Sequence, residues 1–195
     1  MAKRSSNTKS KIVKAAWDLF YKQGYENTTV DEIVEESGTS KGSFYHYFVS
    51  KDALLGSLSY LFDEKYEELE GHLDPEEPVL RTLVYLNQEL FGMIDNTVDE
   101  HLISMLYATQ MSGSGEKSLL DNSRLYYRLL KKLMIRGQEN GELTADMTVN
   151  ELVRYYAMCE RSLICEWCLC DWNFSLKTFG GQMLPLMLEG IRAKE

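Results

Sequence analysis

The stretch "TTVDEIVEESGTSKGSFYHYF", residues 28–48, contains two helix starts and one helix stop. Thr29 followed three residues later by Glu32 is a capping box. The threonine hydroxyl accepts the third backbone N–H, and the glutamate reaches back to the cap's own N–H. A short helix over 29–37 follows, with Val30, Ile33 and Val34 as its apolar face, and Gly38 ends it. Thr39 or Ser40 caps a second helix, which crowds four aromatics and a histidine into residues 44–48. Phe44 and Phe48, four apart, share a face and can turn inward. Lys41, Ser43 and the polar tips of Tyr45, His46 and Tyr47 remain for the opposite side. Two short helices around a glycine-bearing turn are the layout of a helix-turn-helix, whose second helix enters the DNA major groove. That layout accounts for donor-bearing aromatics on one short helix: one side meets a core, the other meets phosphates and base edges. Gly42, without a side chain, lets the backbone approach a duplex closely.

Outward from this pair the pattern stays helical. Ile12, Ala16, Leu19 and Phe20 form one stripe of a helix over 9–23, with Gly24 at its stop. A fourth helix is expected from Ser50 to Glu70, with Val49 and Leu54 placed as a hydrophobic staple. The charge is uneven. The chain carries −9, yet residues 1–51 hold eight Lys/Arg against six Asp/Glu, and the remainder holds 13 against 24. A basic head on an acidic body suits one polyanion-facing surface, and a merely solvated N-terminal tail fits the charge equally well.

Residues 8–58 resemble the DNA-binding domain of the TetR/AcrR family of bacterial transcriptional regulators. The resemblance rests on "AAWDLFYKQGYENTTVDEIVEESGTSKGSFYHYFVSKDALL". It shows in Gly24, Thr28-Thr29, Gly38, Tyr45-His46-Tyr47-Phe48 and Lys51-Asp52-Ala53-Leu54. It implies that Thr29 and Lys51 hold phosphates and that Tyr45 and Tyr47 touch the backbone. It also implies that Thr39, Ser40, Lys41, Gly42, Ser43 and His46 line the groove. Val34 and Ser37 stand where the family usually has alanines.

The fold expected is all-α. An N-terminal three-helix DNA-binding domain over 1–50 carries the helix-turn-helix at about 29–48. A helical ligand-binding and dimerisation domain over 51–195 brings the total to about nine helices. Beyond Glu70 the pattern gives helices over 75–95 (Asp74 as cap, Pro75 first), 99–112, 117–140, 148–172 and 175–192, with a second capping box at "TVNE", 148–151. "RSLICEWCLCDWNFSL", 161–176, is similar to the region before the last helix in the AcrR-like branch, with Ser162 where glycine is usual. The resemblance implies a homodimer built from the last two helices, with Leu163, Trp167, Gly180, Gly181 and Leu184 at the contact. It also implies a pocket for a small hydrophobic effector, to which Tyr85, Met105, Tyr107, Tyr127 and Glu160 are assigned. Glu160 falls within the apolar stripe Val153, Tyr156, Leu163, Ile164 and Trp167. A carboxylate there pairs with a cationic ligand, with an arginine across the dimer, or with structural partners.

Other classes recede. No apolar run reaches the roughly 18 residues of a membrane span. The basic start lacks the apolar core of a signal peptide, which places the chain in the cytoplasm with its four cysteines reduced. Cys165, Cys168 and Cys170 cannot wrap one tetrahedral metal from a single helix, so they are expected as small buried apolar side chains. No metal or other cofactor is assigned. No phosphate loop, His-x-x-x-His pair or Ser/His/Asp set points to an enzyme. The expected partners are double-stranded DNA, a second copy and an unknown small molecule, the reading being a repressor on a palindromic operator. Control by a protein partner instead of a small molecule is the alternative.

Overall fold

Apolar side chains spaced three and four apart dictate helix along most of the chain. The computed structural model describes residues 2–112 and 117–194, with side chains from residue 8, so the Lys3 and Arg4 side chains of the basic head lie outside the described residues. Among the described residues the helices are α1 Ala2–Gln23, α2 Val30–Glu36, α3 Lys41–Tyr47, α4 Leu58–Glu70, α5 Val79–Thr97, α6 Glu100–Ser112, α7 Leu125–Glu139, α8 Val149–Leu169 and α9 Leu176–Leu188. Two compact units result: Met1–Ser59 with Met105–Leu120, and Tyr60–Ser104 with Asp121–Glu195.

In the first unit α1, α2 and α3 close around Ile12, Ala16, Phe20, Ile33, Phe44 and Leu54, each at most 2% exposed. Thr29 forms the capping box in full, accepting from Glu32 N at 3.2 Å while its own N–H donates to Glu32 Oε2 at 2.7 Å. Gly38 ends α2 at φ +61°, a left-handed conformation that favours glycine, and the N–H of Thr39 returns to Val34 O. Ser40, not Thr39, caps α3, accepting from Ser43 N at 3.1 Å. Of the apolar face assigned to α2, only Ile33 is fully buried; Val30 and Val34 are half-exposed.

The second unit is organised on α5, which packs against α9 and α7, with α8 against both α7 and α9. Close approach of α5 and α9 needs glycine. A Cβ at Gly180 would sit 2.6 Å from the Phe91 ring and 2.9 Å from Asn87 Oδ1. Asp95 on α5 caps α9 from outside its own sequence, accepting from Leu176 N and Lys177 N at 2.9 Å each. Glu142 does the same for α5 through Val79 N at 2.6 Å. Carboxylates at these helix starts take orphan N–H groups and complement the positive end of the helix dipole.

Several boundaries differ from the sequence expectation. The fourth helix does not begin at Ser50: Asp52–Ser57 is a 3-10 turn, and α4 proper starts at Leu58. The staple is absent, because Val49 is 77% exposed while Leu54 is buried. The fifth helix starts at Val79 instead of residue 75. Pro78 disfavours helical backbone at Glu77, so residues 74–77 form a turn. The expected 117–140 helix is split. Ser118–Leu120 makes a 3-10 turn, and Asp121 then folds its carboxylate onto Ser123 N at 2.9 Å, a local bond that competes with helix. Cys159 alone of the four cysteines is buried; Cys165 and Cys168 on α8 and Cys170 at its C-terminal cap are half-exposed, not buried as expected.

Candidate nucleic-acid interface

The recognition surface follows from how α3 is anchored. Phe44 and Phe48 are 0% and 6% exposed, with ring centroids 5.8 Å apart, and they fix one side of the helix in the core. The opposite side then presents Ser40, Lys41, Gly42, Tyr45 (51% exposed) and His46 to solvent, with Ser43 and Tyr47 half-exposed at its margins. Thr39 is half-exposed, and its hydroxyl shares a 2.8 Å hydrogen bond with Ser37. That bond gives Ser37 a role at the turn which an alanine lacks. The Ser40 and Ser43 hydroxyls lie 2.9 Å apart at the start of α3. His46 meets Tyr47 edge-on at 4.8 Å.

Thr29 is exposed at the start of α2, with its hydroxyl held by Glu32 Oε2 at 2.8 Å. Lys51 is engaged differently from the phosphate contact that the resemblance implies. Its ammonium donates to Tyr25 O at 2.7 Å and Thr28 O at 2.9 Å, and it lies 4.1 Å from the centre of the Tyr25 ring. The Tyr25 hydroxyl in turn donates to Asp52. Burial and the neighbouring Asp52 push the Tyr25 phenol far above its ordinary range, so it stays a donor. These contacts pin the loop that carries Thr29. Sequence reasoning passed over Asp31: its carboxylate lies 2.7 Å from Lys41 Nζ across the α2–α3 turn. The signal was present, because Lys41 is the one Lys or Arg between Lys22 and Lys51.

The residues assigned to an effector are divided between the two units. Met105 and Tyr107 belong to the first unit, and Tyr85, Tyr127 and Glu160 to the second. Tyr85 is 42% exposed and lines a groove of about 330 Å³ between α5 and the end of α9, with Leu80, Val84, Pro185 and Leu188. Glu160 is 4% exposed and takes structural partners: Asn87 Nδ2 at 3.0 Å, Tyr126 Oη at 2.6 Å and Tyr156 Oη at 3.0 Å. Burial pushes its carboxyl above the ordinary range, against the opposing pull of those donors. The residues assigned to a dimer contact are used inside the chain. Leu163, Trp167 and Leu184 are at most 5% exposed, the Trp167 indole donates to Phe174 O, and Gly180 and Gly181 face Phe91 and Gln88 of α5. The outer side of α8 and α9 shows other apolar residues: Met158, Leu169 and Leu186 at 51%, 79% and 68% exposure.

The sequence pattern of the bacterial regulatory proteins of the tetR family matches residues 12–58, from α1 to the first residue of α4. Likeness to known proteins extends further. The HTH-type transcriptional regulator QacR of Staphylococcus aureus is 40% identical over 144 residues, 70% of this chain and 73% of that protein. The HTH-type transcriptional regulator YvdT of Bacillus subtilis is 27% identical over 145 residues, 74% of each. Among solved structures, Thermus thermophilus FadR, a TetR-family repressor in complex with lauroyl-CoA, shares the fold with a TM-score of 0.76. It does so over 95% of this chain and 96% of that one, at 22% identity. This chain is a DNA-binding transcriptional regulator and belongs to the TetR family of bacterial regulatory proteins.

Proposed function

We propose that the protein acts in the cytoplasm as a homodimeric repressor of a near-palindromic operator, released by a small hydrophobic effector. The observation that carries the DNA-facing part is the exposed polar side of α3, opposite the buried Phe44 and Phe48. Lys41, Gly42, Ser43 and His46 line the groove, with Thr39 and Ser40 at the helix start. Thr29, Tyr45 and Tyr47 meet the phosphate backbone, and Lys51 holds the loop that presents Thr29. A two-fold dimer sets the two recognition helices about 34–36 Å apart, one turn of DNA.

The dimer reading is supported by exposed apolar side chains on both of the last two helices, Met158 and Leu169 on α8 and Leu186 on α9. The effector reading places a small apolar molecule in the second unit, and the lauroyl-CoA bound to FadR supports it by analogy of fold. An effector acts by binding one spacing of the recognition helices better than another, and shifts operator affinity by no more than that difference.

The test is a gel shift with a duplex that the purified chain selects from a random-sequence pool. The full chain is expected to shift it as a dimer, and a chain lacking residues 1–51 is expected to leave it free. A shift retained without those residues overturns the reading. A melting-temperature screen of hydrophobic compounds, set against a pull-down, separates a small-molecule effector from control by a protein partner.

A further inference from the structure

We propose that Asp31 attenuates DNA affinity: it occupies Lys41 in the DNA-free protein, and every duplex that Lys41 contacts must first displace it. The inference rests on the reading that α3 enters the groove. Its starting observation is the 2.7 Å contact between Lys41 Nζ and Asp31 Oδ1. Lys41 is the first residue of α3, and Asp31 is the second residue of α2. The α2–α3 turn, fixed by Gly38 and the Ser37–Thr39 hydrogen bond, brings them together.

The fold does not need this pair. The two side chains are 59% and 71% exposed, and an ion pair so exposed contributes little to stability. What holds α2 to α3 is Ile33 and Phe44, both 0% exposed. The pair matters for charge instead. Across residues 28–48 the acids are Asp31, Glu32, Glu35 and Glu36, and Lys41 is the one Lys or Arg. Hydrogen bonding to Asp31 raises the Lys41 pKa, so the ammonium is fully charged yet directed at a carboxylate of its own domain.

A DNA ligand that Lys41 contacts has to take it from Asp31. A non-operator duplex offers phosphates at variable distance, which compete poorly with a carboxylate already at 2.7 Å. An operator that seats α3 in register offers a fixed acceptor, such as the O6 and N7 edge of guanine. The seated complex bears the full cost of separating Lys41 from Asp31, and a loose complex, which can leave the pair closed, bears at most that. Asp31 acts through Lys41 and is a positioning residue in this sense.

The experiment is a salt titration of the full-length protein on two duplexes, the one it selects from a random pool and a scrambled control. Asp31→Asn is expected to tighten the selected duplex by about threefold to fivefold, within the worth of an exposed ion pair, and the scrambled one by no more than that. The scrambled-duplex slope of log affinity against log salt is expected to steepen by about 0.9, the value for one added phosphate contact. Asp31→Glu is expected to restore wild-type behaviour. In a Lys41→Met background, Asp31→Asn is expected to leave the slope unchanged. An unchanged slope in the single variant, or an equal gain with Lys41 absent, overturns the inference. So does a loss of operator affinity with a changed base preference, which would mean that Asp31 itself reads a base. A wild type that binds neither duplex overturns the proposed function and this inference with it. A wild type that binds both, with the single variant indistinguishable from it, overturns this inference alone.

Discussion

The ammonium of Lys51 donates to the carbonyl oxygen of Thr28 at 2.9 Å, and so ties the residue before the 3-10 turn Asp52–Ser57 to the residue before the cap of α2. The contact is internal, although the charge suits a phosphate. Lys51→Met removes this bond and the one to Tyr25 O, and hydrogen bonds from a charged donor are worth about 1.5–3 kcal/mol each before relaxation. Urea denaturation is expected to show a loss of about 1–2 kcal/mol, since water reaches part of the site. Affinity for all duplexes is expected to fall by a common factor, with little change in salt slope. A slope flattened by a full phosphate contact would instead place Lys51 on the DNA.

Glu160 makes stability depend on pH. Tyr156 Oη lies 2.8 Å from Leu83 O and 3.0 Å from Glu160 Oε1, and the phenol has one proton for two acceptors. A protonated Glu160 resolves this by donating to Tyr156 while Tyr156 donates to Leu83. The raised carboxyl pKa in the folded chain agrees. The folded state then binds a proton that the unfolded state has released, so stability falls as pH rises from about 4.3, the unfolded value, through the raised folded value. Glu160→Gln keeps a neutral side chain of the same shape. It is expected to melt with the wild type below about pH 4 and progressively above it as pH rises to 8. Parallel melting curves across that range would show Glu160 ionised in the fold.

Gly180 and Gly181 separate by what they face. Gly180→Ala drives a methyl into Phe91, which is 0% exposed and cannot yield, so overpacking of about 1–3 kcal/mol is expected. Gly181→Ala meets the end of the Gln88 side chain, which can swing away, and a loss under about 1 kcal/mol is expected. Thermal melts of the two variants check the order.

The dimer proposal turns on Leu186, 68% exposed on α9. Leu186→Glu is expected to leave the fold intact, because the residue is not in the core. Sedimentation is expected to show monomer, with operator affinity lower by 10²-fold or more once the half-sites are no longer linked. A dimer that persists in this variant would place the contact elsewhere.

The capping boxes at Thr29 and Thr148, the stop at Gly38 and the inward Phe44–Phe48 pair were all legible in the sequence. Each is set by side chains within four residues of the backbone they satisfy, so local chemistry determines them without reference to the rest of the chain. The all-helical class and the exposed side of α3 follow from the same short-range periodicity. What the sequence left open depends on residues far apart. Asp95 caps α9 across 81 residues to Leu176, and Glu142 caps α5 across 63 residues to Val79. Lys51 is drawn to carbonyls 23 and 26 residues earlier. Gly180 and Leu184 have the same pattern whether they meet a second subunit or a helix of their own chain. Only the packing of α9 on α5 decided for the latter, because a helix surface records that it is buried and small without recording against what.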